Sequence, residues 1–193
     1  MSIRIVACGV FRDALRQIQL QRFHQNVTIT YITPVLHNYP EKLKEEILSQ
    51  IHMAQKAGDD ILCLYGRCYP DLDPMLSKAG IRRVPGGHCY EILLGSKCFQ
   101  RLIDEEAGTY FLEKELVLNF AEYCAKPLEL DDPMLRESYF RHYKRLTYVR
   151  QPLDPDFIVS RVKEIAQLLD LESLIIDADY SEFRANLFRF LSD

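Results

Sequence analysis

Long apolar runs are missing from this sequence. Its longest, such as Ile61 to Tyr65 and Ile92 to Leu94, fall far short of the ~20 residues that span a bilayer, so no membrane span is expected. An excess of positive charge is missing too. The net charge of −4 gives no electrostatic reason to bind nucleic acid or an anionic membrane surface. No CxxC pair and no zinc-ribbon spacing occurs among the 6 cysteines, so any metal site must be assembled by the fold and not by a local motif. The glycine fingerprint of dinucleotide-binding folds and the lysine-bearing phosphate loop are both absent, as are internal repeats and low-complexity linkers. The chain enters a strand within two residues, without a basic-then-apolar leader, which points to the cytoplasm. In that compartment structural disulfides are rare, leaving metal binding, catalysis or plain burial to explain the cysteines.

What is present is the composition of an ordinary globular protein, 48% hydrophobic and 27% charged. Its 193 residues suit a single α/β domain, 1–193, with one sizeable core. Ile3 to Ala7 reads as a strand ending at Cys8-Gly9, with Phe11, Leu15 and Ile18 at helical spacing behind it. Val27 to Ile32 makes a second strand closed by Thr33-Pro34. A helix follows in which Leu43, Ile47, Ile51 and Ala54 share a face until Gly58 stops it. Asp60 to Gly66 is the most apolar strand, as one buried on both faces should be. Leu72 to Ala79 is a short helix and Ile81 to Val84 a fourth strand.

This β-α alternation implies a three-layer, Rossmann-like domain with a mostly parallel sheet, the first strand lying between the second and third and the fourth beyond the third. Further on, Gly108 to Leu112 is a candidate edge strand or lid, and Leu116 to Cys124 has helical periodicity. Met134 to Tyr143 is helical, Arg145 to Val149 a strand, Phe157 to Leu169 an amphipathic helix, Ser173 to Asp177 a strand, and Ser181 to Leu191 a closing helix. Arg141, Lys144, Arg145 and Arg150 form a basic stretch that reads as a solvated face.

Chemistry concentrates in Val84 to Ser96, a strand end, a paired-glycine turn and a helix whose first turn carries His88 and Cys89. A helix start exposes unpaired N–H groups and partial positive charge, which favours Cys89 as thiolate. Cys8 and Cys68 also follow strands, and ligands of open α/β sheets bind at the carboxyl ends of strands. Cys8, Cys68 and Cys89 are therefore expected to meet there. Three thiolates suit zinc or an iron–sulfur cluster, with His88, water or substrate in the fourth position.

The alternatives are a metal-free enzyme with Cys89 as nucleophile and His88 beside it as catalytic partner, or a module that binds a small-molecule cofactor or a protein partner. Gly9, Gly66, Gly86 and Gly87 are the candidate cofactor-binding glycines, the last two able to present N–H groups to a phosphate. Cys63, Cys98 and Cys124 read as packing. His24, His37, His52 and His142 stand apart from any constellation and read as surface or capping residues.

Ala7-Cys8-Gly9, Tyr65-Gly66-Arg67-Cys68, His88-Cys89 followed by Leu93-Leu94-Gly95-Ser96, and Gly108-Thr109-Tyr110-Phe111-Leu112 together resemble the family catalogued as domain of unknown function 1638. The family pattern places its histidine two positions before the third cysteine, whereas His88 and Cys89 are adjacent, and its tryptophan after the Gly-Thr-Tyr segment has no counterpart. The three cysteines are the shared feature. The resemblance implies no established activity, and it is compatible with anaerobic or corrinoid-linked one-carbon metabolism.

Overall fold

The computed structural model describes residues 2–192. Its chain forms two compact units, Met1–Ser96 with Tyr180–Asp193, and Lys97–Asp179, each built on a parallel sheet of its own.

In the first unit the strands are β1 (Ile3–Cys8), β2 (Val27–Ile32), β3 (Asp60–Leu64) and β4 (Arg82–Arg83). They lie parallel in the order β2-β1-β3-β4, the order expected from the sequence. β1 and β3 occupy the middle. Neither alternates, because both of their faces are covered; in β1 only Arg4 is not fully buried, and in β3 only Asp60. Helices α1 (Arg12–Gln17) and α2 (Leu20–Phe23) follow β1, and α3 (Pro40–Lys56) precedes β3. Pro40 opens α3 at a position where its missing N–H costs nothing. The stripe Leu43, Ile47, Ile51, Ala54 is buried, each of the larger side chains contributing roughly 2 kcal/mol. Helices α4 (Leu72–Lys78) and α5 (Cys89–Leu94) follow β3 and β4. The strand expected over Ile81 to Val84 pairs only at Arg82 and Arg83. Val84 makes one more bond, N–H to Cys63 O at 3.0 Å, and Pro85 has no N–H with which to continue. The closing helix, numbered α10 (Ser181–Ser192), returns to this unit and stacks Phe183 on Phe11, ring centroids 5.7 Å apart.

The second unit contains most of α6 (Ser96–Glu105), then β5 (Thr109–Leu112), α7 (Lys114–Leu118), α8 (Pro133–Phe140), β6 (Arg145–Arg150), α9 (Phe157–Leu168) and β7 (Glu172–Asp177). Its parallel order is β5-β6-β7. Its core gathers Leu112, Val117, Leu146, Tyr148, Ile158 and Val162. Gly108 to Leu112 thus contributes an edge strand. The helix expected over Leu116 to Cys124 is broken: α7 stops at Asn119, whose side chain donates to Glu115 O at 2.9 Å, and one π-helical turn, Ala121–Ala125, follows. The expectation of one sheet gives way to two, since β4 pairs over two residues only and the later strands pair among themselves. Among the described residues no helix is long and apolar enough to cross a membrane.

Candidate functional site

All residues of the site belong to the first unit. β1, β2 and β3 run parallel with Cys8 opposite Ile32 and Ala7 opposite Leu64, so their carboxyl ends finish side by side. β1 delivers Cys8 as its last residue. Beyond β2, Thr33 leads into one 3₁₀ turn, Pro34–Asn38, that carries His37. Beyond β3 the chain runs Tyr65, Gly66, Arg67, Cys68, and beyond β4 it reaches Cys89 at the start of α5.

The last two loops are pressed together. A Cβ on Gly66 would lie 2.5 Å from the Cys89 nitrogen and 2.8 Å from the His88 carbonyl carbon, so only glycine allows the approach. Arg67 N–H donates to Gly87 O at 2.8 Å, and Gly66 N–H donates to Cys89 Sγ at 3.3 Å. From below, Arg83 ties both loops. Its Nη1 donates to Tyr65 O (2.8 Å), Val84 O (3.0 Å) and Gly86 O (2.8 Å), while Nε donates to Asp73 Oδ1 at 2.5 Å. Asp73 also accepts from Arg67 Nε at 2.7 Å, and bonding to Arg83 foremost holds its carboxyl below the usual carboxylate range.

Within this frame the side-chain hydrogen bonds run in series. Cys89 bonds to Cys8 on one side and to Cys68 on the other, and Cys68 bonds to His37. Cys8 and Cys89 are buried, while Cys68 is only partly so. The buried Tyr65 hydroxyl has no nitrogen or oxygen partner and interacts with the Cys8 thiol.

The series separates the thiols electrostatically. The S–H of Cys89, donating to Cys68, is the largest influence bringing Cys68 down to about 5; burial opposes it, and His37, with a smaller contribution from the charge of His88, adds to it. Cys89 moves the opposite way, well above the ordinary thiol range, through its bonds to Cys68 and Cys8 and through burial. The bond to Cys68 raises His37. The partly exposed Cys68 is therefore the more acidic thiol of the two and the buried Cys89 the less acidic.

The family described as protein of unknown function (DUF1638) matches residues 31–187. The chain belongs to the DUF1638 family. No curated protein and no solved structure matches it.

In this DUF1638 protein Cys89 interacts with Cys8 and with Cys68, but the three do not form the metal site expected of them. Among the described residues no three His, Cys, Asp or Glu side chains are placed to hold a metal ion, which overturns the zinc or iron–sulfur site assigned to Cys8, Cys68 and Cys89. The sulfur of Cys89 is instead engaged within the protein, accepting from Gly66 N–H at 3.3 Å and interacting with Cys68 and Cys8.

The helix-start argument for a Cys89 thiolate is outweighed in the same way, since α5 is a helix of 6 residues whose dipole is weaker than burial plus two sulfur neighbours. His88 is exposed and acts on Cys68 through its charge. The spaces beside Gly9 and Gly66 are filled by Pro34 and by the His88–Cys89 backbone. Gly86 adopts φ +142, and Gly87 N–H donates to Glu91 Oε2 at 2.6 Å. The chain's own carboxylate thus takes the N–H considered for a phosphate.

His37 and Arg83 are the residues that sequence reasoning missed. His37 was open to discovery, because it follows β2 at the same sheet edge as Cys8. Cys63, pushed up to about 12 by burial in β3, and Cys124 in the second core are packing residues. Cys98 is half-buried and accepts a contact from Arg101 at 3.9 Å.

Proposed function

We propose that this protein is a cysteine-dependent enzyme in which Cys68 is the nucleophile and His37 its partner, acting on a small electrophilic molecule at the carboxyl edge of β1, β2 and β3. One feature carries the reading: a partly exposed, acidified Cys68 interacts with His37 at the edge of a parallel sheet, where ligands bind. Cys68 would attack as thiolate, and His37 would hold its proton through the bond to sulfur and supply it to the leaving group. Cys89 stabilises the attacking sulfur by donating S–H. Arg83, through Asp73 and three loop carbonyls, is a positioning residue that keeps Cys68 and Cys89 in register.

The six cysteines are free, which supports a reducing compartment such as the cytoplasm. The β2-β1-β3-β4 order supports a Rossmann-like layering of the first unit. The test is alkylation of the reduced protein at pH 6 with iodoacetamide, read by peptide mass mapping. Cys68 is expected to label first, ahead of the five other cysteines, with a pH midpoint lower than in His37→Ala. Equal, slow labelling of all six would remove the proposal.

A further inference from the structure

We infer that Cys68 and Cys89 form a redox-active pair that reduces a low-molecular-weight disulfide and closes into a Cys68–Cys89 disulfide. The inference rests on the reading of Cys68 as a nucleophile and adds to it a substrate class and a second sulfur.

Three observations carry it. Cys89 Sγ accepts at 3.3 Å from the N–H of Gly66, two residues before Cys68, and the two thiols interact. They differ in access, Cys68 being partly exposed and Cys89 buried behind it, so an incoming disulfide meets Cys68 first. They also come from separate loops that the Gly66 contact, the Arg67–Gly87 bond and the Arg83 clamp hold against each other. Cys89 interacts with both Cys68 and Cys8, and being buried it is the resolving thiol.

The exchange balances. The Cys68 thiolate attacks one sulfur of RSSR, forming Cys68–S–S–R and releasing RS⁻, which takes the imidazolium proton of His37. Cys89 sulfur then attacks Cys68 Sγ, its proton passing to the second departing RS⁻. Two protein sulfurs lose two electrons in all, RSSR gains them, and two RSH leave. The pair is reset by any external dithiol.

The experiment uses the full chain, reduced and freed of reductant, incubated with oxidised glutathione, quenched at intervals with iodoacetamide and mapped by mass. The wild type is expected to lose two hydrogens and to yield a peptide cross-linked through Cys68 and Cys89, with only a transient glutathionyl adduct. Cys89→Ser should stop at the adduct on Cys68, accumulating it at least tenfold over the wild type, and Cys68→Ser should form neither species.

A wild-type adduct that persists unresolved, or a cross-link that joins Cys8 to Cys89, would overturn the inference. The wild-type map decides the matter even where a variant fails to fold. Iodoacetamide alone separates the two readings: fast Cys68 alkylation at pH 6 without the cross-link removes the redox pair and leaves the nucleophile standing, whereas slow alkylation removes both.

Discussion

The pH profile of Cys68 alkylation is the sharpest consequence of the sulfur series. With Cys68 brought down to about 5, roughly nine-tenths of it is thiolate at pH 6, against about 0.3% of an ordinary thiol titrating near 8.5. A low-pKa thiolate is a weaker nucleophile. With a Brønsted coefficient of about 0.4–0.5, the shift of ~3.5 units removes roughly 25- to 55-fold of the ~300-fold gain. Cys68 should therefore outpace an ordinary thiol by roughly 5- to 12-fold at pH 6, draw level with it near pH 7 and fall about 10- to 30-fold behind it by pH 8.5. Its rate should be nearly flat from pH 6 to 9, where an ordinary thiol gains more than a hundredfold. Cys89→Ala and His37→Ala each remove one bond to the charged sulfur. Such a bond is worth about 1.5–3 kcal/mol, so at 1.36 kcal/mol per unit the midpoint rises by ~1–2 units, further in Cys89→Ala because that bond is the larger influence. Stopped-time labelling with mass detection measures each profile. A wild-type rate climbing tenfold per pH unit from 6 to 8, or midpoints unmoved in both variants, would refute the reasoning.

Gly66→Ala should lower thermal stability by roughly 1–3 kcal/mol and slow Cys68 labelling at pH 6, since the new methyl meets backbone of Cys89 and His88 that cannot give way; thermal melts and the same labelling assay check it. Arg83→Met leaves three carbonyls without their shared donor, Asp73 keeping Arg67, and is expected to cost about 1–3 kcal/mol in denaturant unfolding, with Arg83→Lys recovering little of it because one ammonium cannot reproduce the planar fork. In the second unit, burial pushes Glu113 up to about 8 while its carboxyl caps α7 by accepting from Glu115 and Leu116 N–H. The folded state then holds a proton that the unfolded chain releases near 4.5, so this group's contribution is complete below 4.5 and is lost as pH rises through about 8, at up to ~1.4 kcal/mol per pH unit. Glu113→Gln keeps the cap acceptor and should stabilise the protein at pH 8 but not at pH 4, as urea melts at the two values would reveal.

The parts of this molecule that sequence made legible are those governed by local patterns. The β-branched runs Ile3 to Ala7 and Val27 to Ile32, the apolar stripe of α3 and the alternation of strand with helix led to the observed order β2-β1-β3-β4. That Cys8, Cys68 and Cys89 each follow a strand was legible for the same reason, because a parallel sheet sends the residues after its strands to one edge. What those cysteines do there was not. A count of thiols at one edge suggests a metal, but the outcome turns on which sulfur donates to which, and that depends on a 2.5 Å constraint at Gly66 and on a guanidinium reaching three carbonyls from β4. The Gly66–Cys89 and Arg83–Tyr65 contacts join residues 23 and 18 apart and leave no periodic trace. The helix-start rule failed at Cys89 for a related reason. It weighs only the residue's own helix, whereas the thiol sits between two other sulfurs in a buried position. The same geometry explains why protonation divides as it does. One proton serves two sulfurs best when it stays on the buried one, because charge is better tolerated at the partly exposed Cys68, where water, His37 and the charge of His88 all reach it.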